Sequence, residues 1–284
     1  MTTRRFRPLD LPDDQVEEFF ALTAGIGRDL RSLLISWVME NAGDGNFVSG
    51  KYLAFFSAAS RSGLTIEIDS SYGRRRLESV LGSDSVLLNF IQYVLMEPDD
   101  LELEVLDATL LHAHSVWTVA PHPEGGAGLE RRVPEGVDEA VRYTASRAGV
   151  AGQKLKSAWN SAYGLHEDAS SAYSNAIKAV ETLACPLIEE TRAKPTLGTT
   201  YRALREQHAG KKTSWTFKIE NPDGAEKAVY TVVSMMETLW HGQMDRHGGD
   251  ESKTRAVTIE EARAAVLLAA TLVGWLNDDY LVKS

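Results

Sequence analysis

Between residues 137 and 276, apolar side chains recur three and four positions apart, almost without interruption. That is the period of one helix face, not the alternation of a strand. It fixes the class of fold for this half, because each apolar stripe needs another such face to cover it. Val137, Val141, Ala145, Ala148, Leu155, Ala158 and Ala162 make the first stripe, with a weak point at Gly149 and Gly152. Asp168 can cap the next helix, which carries Tyr173, Ile177, Val180 and Leu183; Pro186 is expected to kink or end it. A shorter helix is expected over 196–204, then a connector over 211–222. Asp223-Gly-Ala-Glu226 and Thr258-Ile-Glu-Glu261 read as capping boxes. The first opens a helix with Val229, Val232, Val233, Met236 and Leu239; the second opens one running through Val266, Ala270, Val273 and Leu276 to Tyr280. The two should pack together.

The first half is helical too, with more breaks. Asp10 and Pro12 suit the start of a first element. Leu30, Leu33, Leu34, Trp37 and Val38 predict an amphipathic helix, and residues 41–46 a break. Tyr52, Leu53, Phe55 and Phe56 resume a helical pattern; 64–68 alternates and reads as a short strand or loop edge. Residues 83–96 form an apolar helix, and Asp99 is expected to cap the next, ending near Leu111. His112 and His114 would point apart on a helix, so a shared metal site is disfavoured there. Arg74-Arg75-Arg76 is either a phosphate contact or the solvated face of a short helix ending near Gly82, and so small a patch favours the latter.

Residues 116–119 and 129–133 flank a Gly/Pro loop, as in a β-hairpin. The chain therefore divides into a helical region over 1–115, a hairpin linker over 116–133 and a helical domain over 134–284. The fold class is mainly α. With 40 acidic and 30 basic residues, the formal charge of -10 does not draw nucleic acid over the whole surface, though a local basic site is compatible with it. A single cysteine, Cys185, allows no intrachain disulfide. With no apolar signal core after the basic start, a cytoplasmic setting is expected. The apolar run 264–276 is too short for a membrane span, so no membrane partner is expected. No Walker loop, dinucleotide-binding glycine pattern or nucleophile elbow occurs.

Chemistry concentrates at Glu237-Thr-Leu-Trp240-His241-Gly-Gln243-Met-Asp245-Arg246-His247-Gly248-Gly249. Histidine exchanges protons near neutral pH, and arginine grips phosphate through paired hydrogen bonds. Such a pair suits a phosphodiester without a metal. The bland alternative is a charge-complemented helix end, with Arg246 and His247 near the negative pole and Trp240 in the core. A zinc set of His241, Asp245 and His247 is a further option, without the usual ligand spacing.

Three segments together resemble the abortive-infection C-terminal family, whose helical domain is HEPN-like. They are Ala158-Trp159 with Tyr163-Gly164; 171–181, with Tyr173, Ile177 and Glu181; and 239–248 around Trp240-His241-Gly. The resemblance spans roughly 134–277. It implies a C-terminal HEPN-like bundle in a bacterial or phage defence-type protein, cutting RNA without a metal or other cofactor, often as a homodimer through the helical domain. The family's arginine position is held here by Trp240 and its histidine position by His247, so Arg246 is the arginine at hand. Arg202 and His208 also have a permissible spacing, but in another helix. The implied catalytic residues are His247 as acid/base, Arg246 on the phosphate and Asp245 orienting them; His241, Gln243 and Trp240 would bind. The partner is RNA or another phosphate-bearing ligand. The competing reading is a non-catalytic HEPN-like module binding a protein or nucleotide.

Overall fold

The computed structural model describes residues 8, 11–97, 101–134, 136–210, 215–219, 225–242 and 255–283. The chain is mainly helical and divides into two compact units, residues 1–132 and 133–284. Asp10, Asp99, the Asp223 box, Gln243, Asp245, Arg246 and His247 lie outside the described residues.

In the first unit a single 3-10 turn, Asp13–Gln15, leads into α1 (Val16–Phe20) and α2 (Arg28–Asn41). Then come β1 (Phe47–Ser49), α3 (Gly50–Ser60), β2 (Ser71–Gly73), α4 (Arg74–Val80), α5 (Asp84–Leu95) and α6 (Leu103–His112). The hairpin of β3 (Trp117–Pro121) and β4 (Ala127–Arg131) closes the unit. The α2 stripe is real but rotated from expectation: Leu30, Leu34, Ile35, Trp37 and Val38 are buried, while Leu33 is 54% exposed. Ser83 caps α5, its side chain accepting from the Val86 N–H. Before α6, Glu102 offers no side-chain cap. Residues 64–68 form a loop, and the strand pairing nearby is instead β1 with β2, Val48 opposite Tyr72. The hairpin is anchored by side chains. Asp107 accepts from Thr118 Oγ1 at 2.6 Å and Val119 N at 3.1 Å, and buried Gln92 accepts from Leu129 N at 2.8 Å. These bonds satisfy strand-edge groups that a two-stranded sheet would leave unpaired.

The second unit holds α7 (Val137–Arg147), α8 (Gly149–Tyr163), α9 (Ala169–Ile188), α10 (Leu197–Ala209), β5 (Trp215–Phe217), α11 (Ala225–His241), α12 (Ile259–Asn277) and β6 (Leu281–Lys283). The expected weak point is a true break. Gly149 takes φ +53°, and a Cβ at Gly152 would lie 1.9 Å from the Ala145 carbonyl oxygen, so the turn needs glycine at both places. Alanines give α8, α9 and α12 their close approach: Ala151, Ala158, Ala162, Ala172, Ala176, Ala265 and Ala269 are all buried. Asp168 caps α9 through the Ser171 N–H at 2.9 Å. Thr258 and Glu261 form the expected reciprocal box at α12, and Thr196 with Thr199 forms another at α10. Pro186 does not end α9 at its own position, the helix closing two residues later at Ile188, and α12 stops at Asn277, short of the expected Tyr280. The connector before α11 also contains β5, paired antiparallel with β6 so that Phe217 faces Leu281. Helices α11 and α12 touch, but α11 packs chiefly on α10, and α12 on α9 and α8. No helix among the described residues is long and apolar enough to cross a membrane.

Candidate functional site

The last turn of α11 faces the first two turns of α10, and two short sequence motifs fit each other there. Leu239 is fully buried. Trp240 is partly buried and packs on the core, its indole seated on Gly198; a Cβ added at Gly198 would lie 2.4 Å from Trp240 Cε2. The His241 imidazole meets the Tyr201 hydroxyl, Nε2 to Oη at 3.0 Å. Gly242 passes under Tyr173, whose Oη would sit 2.0 Å from any added Cβ and donates to the Leu239 carbonyl at 3.1 Å. Leu-Trp-His-Gly in α11 is thus read by Gly198 and Tyr201 of α10 and Tyr173 of α9. Tyr173 satisfies one of the carbonyls that a helix end leaves without an internal partner.

The surroundings of Tyr201 are cationic. Arg202 and Arg205 place their guanidiniums 5.3 and 5.5 Å from its ring centroid. Both are within reach of the ring's negative face. Arg205 also pairs with Glu237, one turn before His241. Tyr201 itself is only 2% exposed, whereas His241 is exposed. The arrangement therefore offers an outward imidazole at the negative pole of a helix, backed by a buried hydroxyl and flanked by arginines. Such a group can donate to or accept from an anionic oxygen.

Of the proposed catalytic and binding residues, Trp240 and His241 are the described ones, and both lie at this junction. Trp240 is partly buried and packs on the core. Sequence reading gave Tyr201 and Arg205 no role, because their partners His241 and Glu237 lie some thirty to forty residues away in the chain. Arg202 lies by Tyr201, and His208 meets Tyr230 edge-on at 5.1 Å. The basic triplet is the solvated helix face. Arg74 bonds the Ser32 carbonyl at 2.8 Å and Ser36 Oγ at 2.7 Å, and Arg76 pairs with Glu67 at 2.7 Å. His114 is structural, Nδ1 lying 2.9 Å from the Phe19 carbonyl oxygen. Among the described residues no three His, Cys, Asp or Glu side chains gather as metal ligands would.

A second polar cluster lies at the far side of α10. Glu189, its side chain 6% exposed, accepts from Thr199 and Thr200 Oγ1 at 2.7 and 2.8 Å and from Arg192 at 2.7 Å. Burial alone would raise its pKa, but hydrogen bonds from Arg192, Thr199 and Thr200 together outweigh that and hold it below 4.5. Cys185 Sγ lies 3.2 Å from Thr200 Oγ1, and burial pushes its thiol up, away from the reactive thiolate. This cluster is internally satisfied and joins α9 to α10.

No family model matches the chain, and neither a curated protein nor a solved structure matches it.

Proposed function

We propose that the second unit is a HEPN-like module of a defence-type protein, which binds the phosphodiester of RNA at the α10–α11 junction and cuts it without a metal. In this reading His247 exchanges the proton, Arg246 holds the phosphate, Asp245 and Gln243 orient them, and the HEPN-like faces form a homodimer. His241, Arg202 and Arg205 add donors and positive charge at the helix end that leads into those residues. The observation that carries the reading is the outward imidazole of His241, tied to buried Tyr201, against whose ring Arg202 and Arg205 both lie. Against a net charge of -10, such a local cationic site is where an RNA backbone gains most.

The test is cleavage of single-stranded RNA by the purified protein, with and without EDTA, alongside His247→Ala and Arg246→Ala. The reading expects EDTA-resistant cleavage, a loss of about 10²–10⁴-fold in rate without His247, and weakened binding without Arg246. Cleavage abolished by EDTA, or unchanged in the double variant, refutes the assignment.

A second reading, the non-catalytic module, has its own observation. Every residue from Leu239 to Gly242 has a packing or hydrogen-bonding partner, and Arg205 is already paired with Glu237. Wild-type protein that neither binds nor cuts RNA would decide for it.

A further inference from the structure

We infer that Tyr201 is a positioning residue that locks neutral His241 with its proton on Nδ1, making that nitrogen a fixed hydrogen-bond donor for an acceptor oxygen of the ligand. The inference deepens the RNA reading and rests on it for the identity of the ligand. It does not rest on it for the state of the ring.

Tyr201 is 2% exposed, and its hydroxyl has His241 Nε2, at 3.0 Å, as its partner among the described residues. A neutral imidazole carries one N–H and one bare nitrogen. If the proton were on Nε2, the imidazole would donate to Tyr201 Oη, and the hydroxyl's own proton would be buried without an acceptor. If the proton is on Nδ1, Tyr201 donates to Nε2 and both groups are satisfied. Buried donors left without acceptors are rare because they cost stability. The second arrangement therefore wins.

The consequence falls on the other side of the ring. Nδ1 makes no hydrogen bond among the described residues, and the side chain is exposed. A ring locked in this tautomer presents N–H, not a lone pair. It suits a phosphate oxygen, which only accepts, and cannot serve as the base that removes a proton. The two histidines of the motif then have separate tasks, with donation at His241 and proton exchange left to His247. Arg202 and Arg205 lie against the same tyrosine ring, so hydrogen bond and cationic charge share one support.

The experiment is long-range proton–nitrogen NMR on the full chain with labelled histidine, at a pH where the imidazoles are neutral, with the His241 signal assigned from its loss in His241→Gln. In wild type the Nδ1–H tautomer is expected to prevail by about tenfold or more, the ratio set by one orphaned buried hydroxyl. Tyr201→Phe keeps the buried ring and should return His241 to the Nε2–H form that free histidine prefers. Binding of a single-stranded RNA oligonucleotide is read on the same two proteins, and the phenylalanine variant should bind several-fold more weakly. A wild-type spectrum with Nε2 protonated overturns the inference, whether or not the phenylalanine variant folds, and so does a tautomer unchanged by Tyr201→Phe. The expected tautomer without any RNA binding upholds the role of Tyr201 and removes the RNA reading alone.

Discussion

Gly198→Ala is the sharpest probe of the junction. The added Cβ would lie 2.4, 2.6 and 2.8 Å from Trp240 Cε2, Cζ2 and Nε1. Ordinary carbon contacts are about 3.5–4.0 Å, so the indole must retreat by roughly 1 Å or more. An indole is rigid and cannot fold its end away. Overpacking of this kind costs roughly 1–3 kcal/mol. The helix preference of alanine over glycine offsets at most about 1 kcal/mol of that. With a rigid partner this close the upper part of that range applies, so a net loss of roughly 1–2 kcal/mol is expected, or about 2–8 °C in the transition of a unit this size. Trp240→Ala alone should cost less than the roughly 3–5 kcal/mol of a fully buried tryptophan, because this one is only partly buried. In the double variant the new methyl enters space the indole has left. The two losses should then fail to add by about 1–2 kcal/mol. Urea unfolding followed by far-ultraviolet circular dichroism measures all four proteins. A neutral or stabilising Gly198→Ala, with simple additivity, would show that Trp240 does not rest on Gly198.

Two further outcomes are expected. Glu189 titrates lower folded than unfolded, so its contribution is fully present above the ordinary carboxylate value of 4.5 and is lost as pH falls through the lower folded value; melting temperatures of wild type and Glu189→Gln should converge on acidification, and a constant gap from neutral to acid would contradict this. Glu237→Gln frees Arg205 from its ion pair, so it should tighten binding of RNA or inorganic phosphate at low salt, with the gain shrinking as salt rises; unchanged affinity would mean that Arg205 does not face the ligand.

What could be read from the sequence follows the range of the interaction. Caps act within four residues, and those expected at Asp168 and Thr258 stand in the structure with their bonds made, whereas the caps at Ser83 and Thr196 were not anticipated. Stripes of three-and-four spacing act within one helix, and they gave the helical class of both halves. Leu33 shows the limit: its spacing fits the stripe, yet Ile35 takes the buried place because the neighbouring elements set the rotation of α2. The three-residue strands were missed because each is too short to carry a period and is defined by a distant partner. The site was legible only as a list of reactive residues. That Trp240 and His241 answer to Gly198 and Tyr201 required the apposition of α10 and α11. The one available hint was reciprocal: each of two short motifs, Leu-Gly-Thr-Thr-Tyr and Leu-Trp-His-Gly, combines a glycine with a bulky aromatic side chain.

The pairing of β5 with β6 bears on the order in which the chain can fold during synthesis. Phe217 leaves the ribosome 64 residues before its strand partner Leu281. At roughly 5–20 residues per second, that is a delay of about 3–13 s. For that interval Phe217 lacks both Leu281 across the ladder and the Trp275 ring, which will lie 4.9 Å away. Helices α7 to α10 can meet as they emerge, but the stretch leading into α11 must wait. The stretch leading into α11 thus gains its strand partner only after α12 has been made.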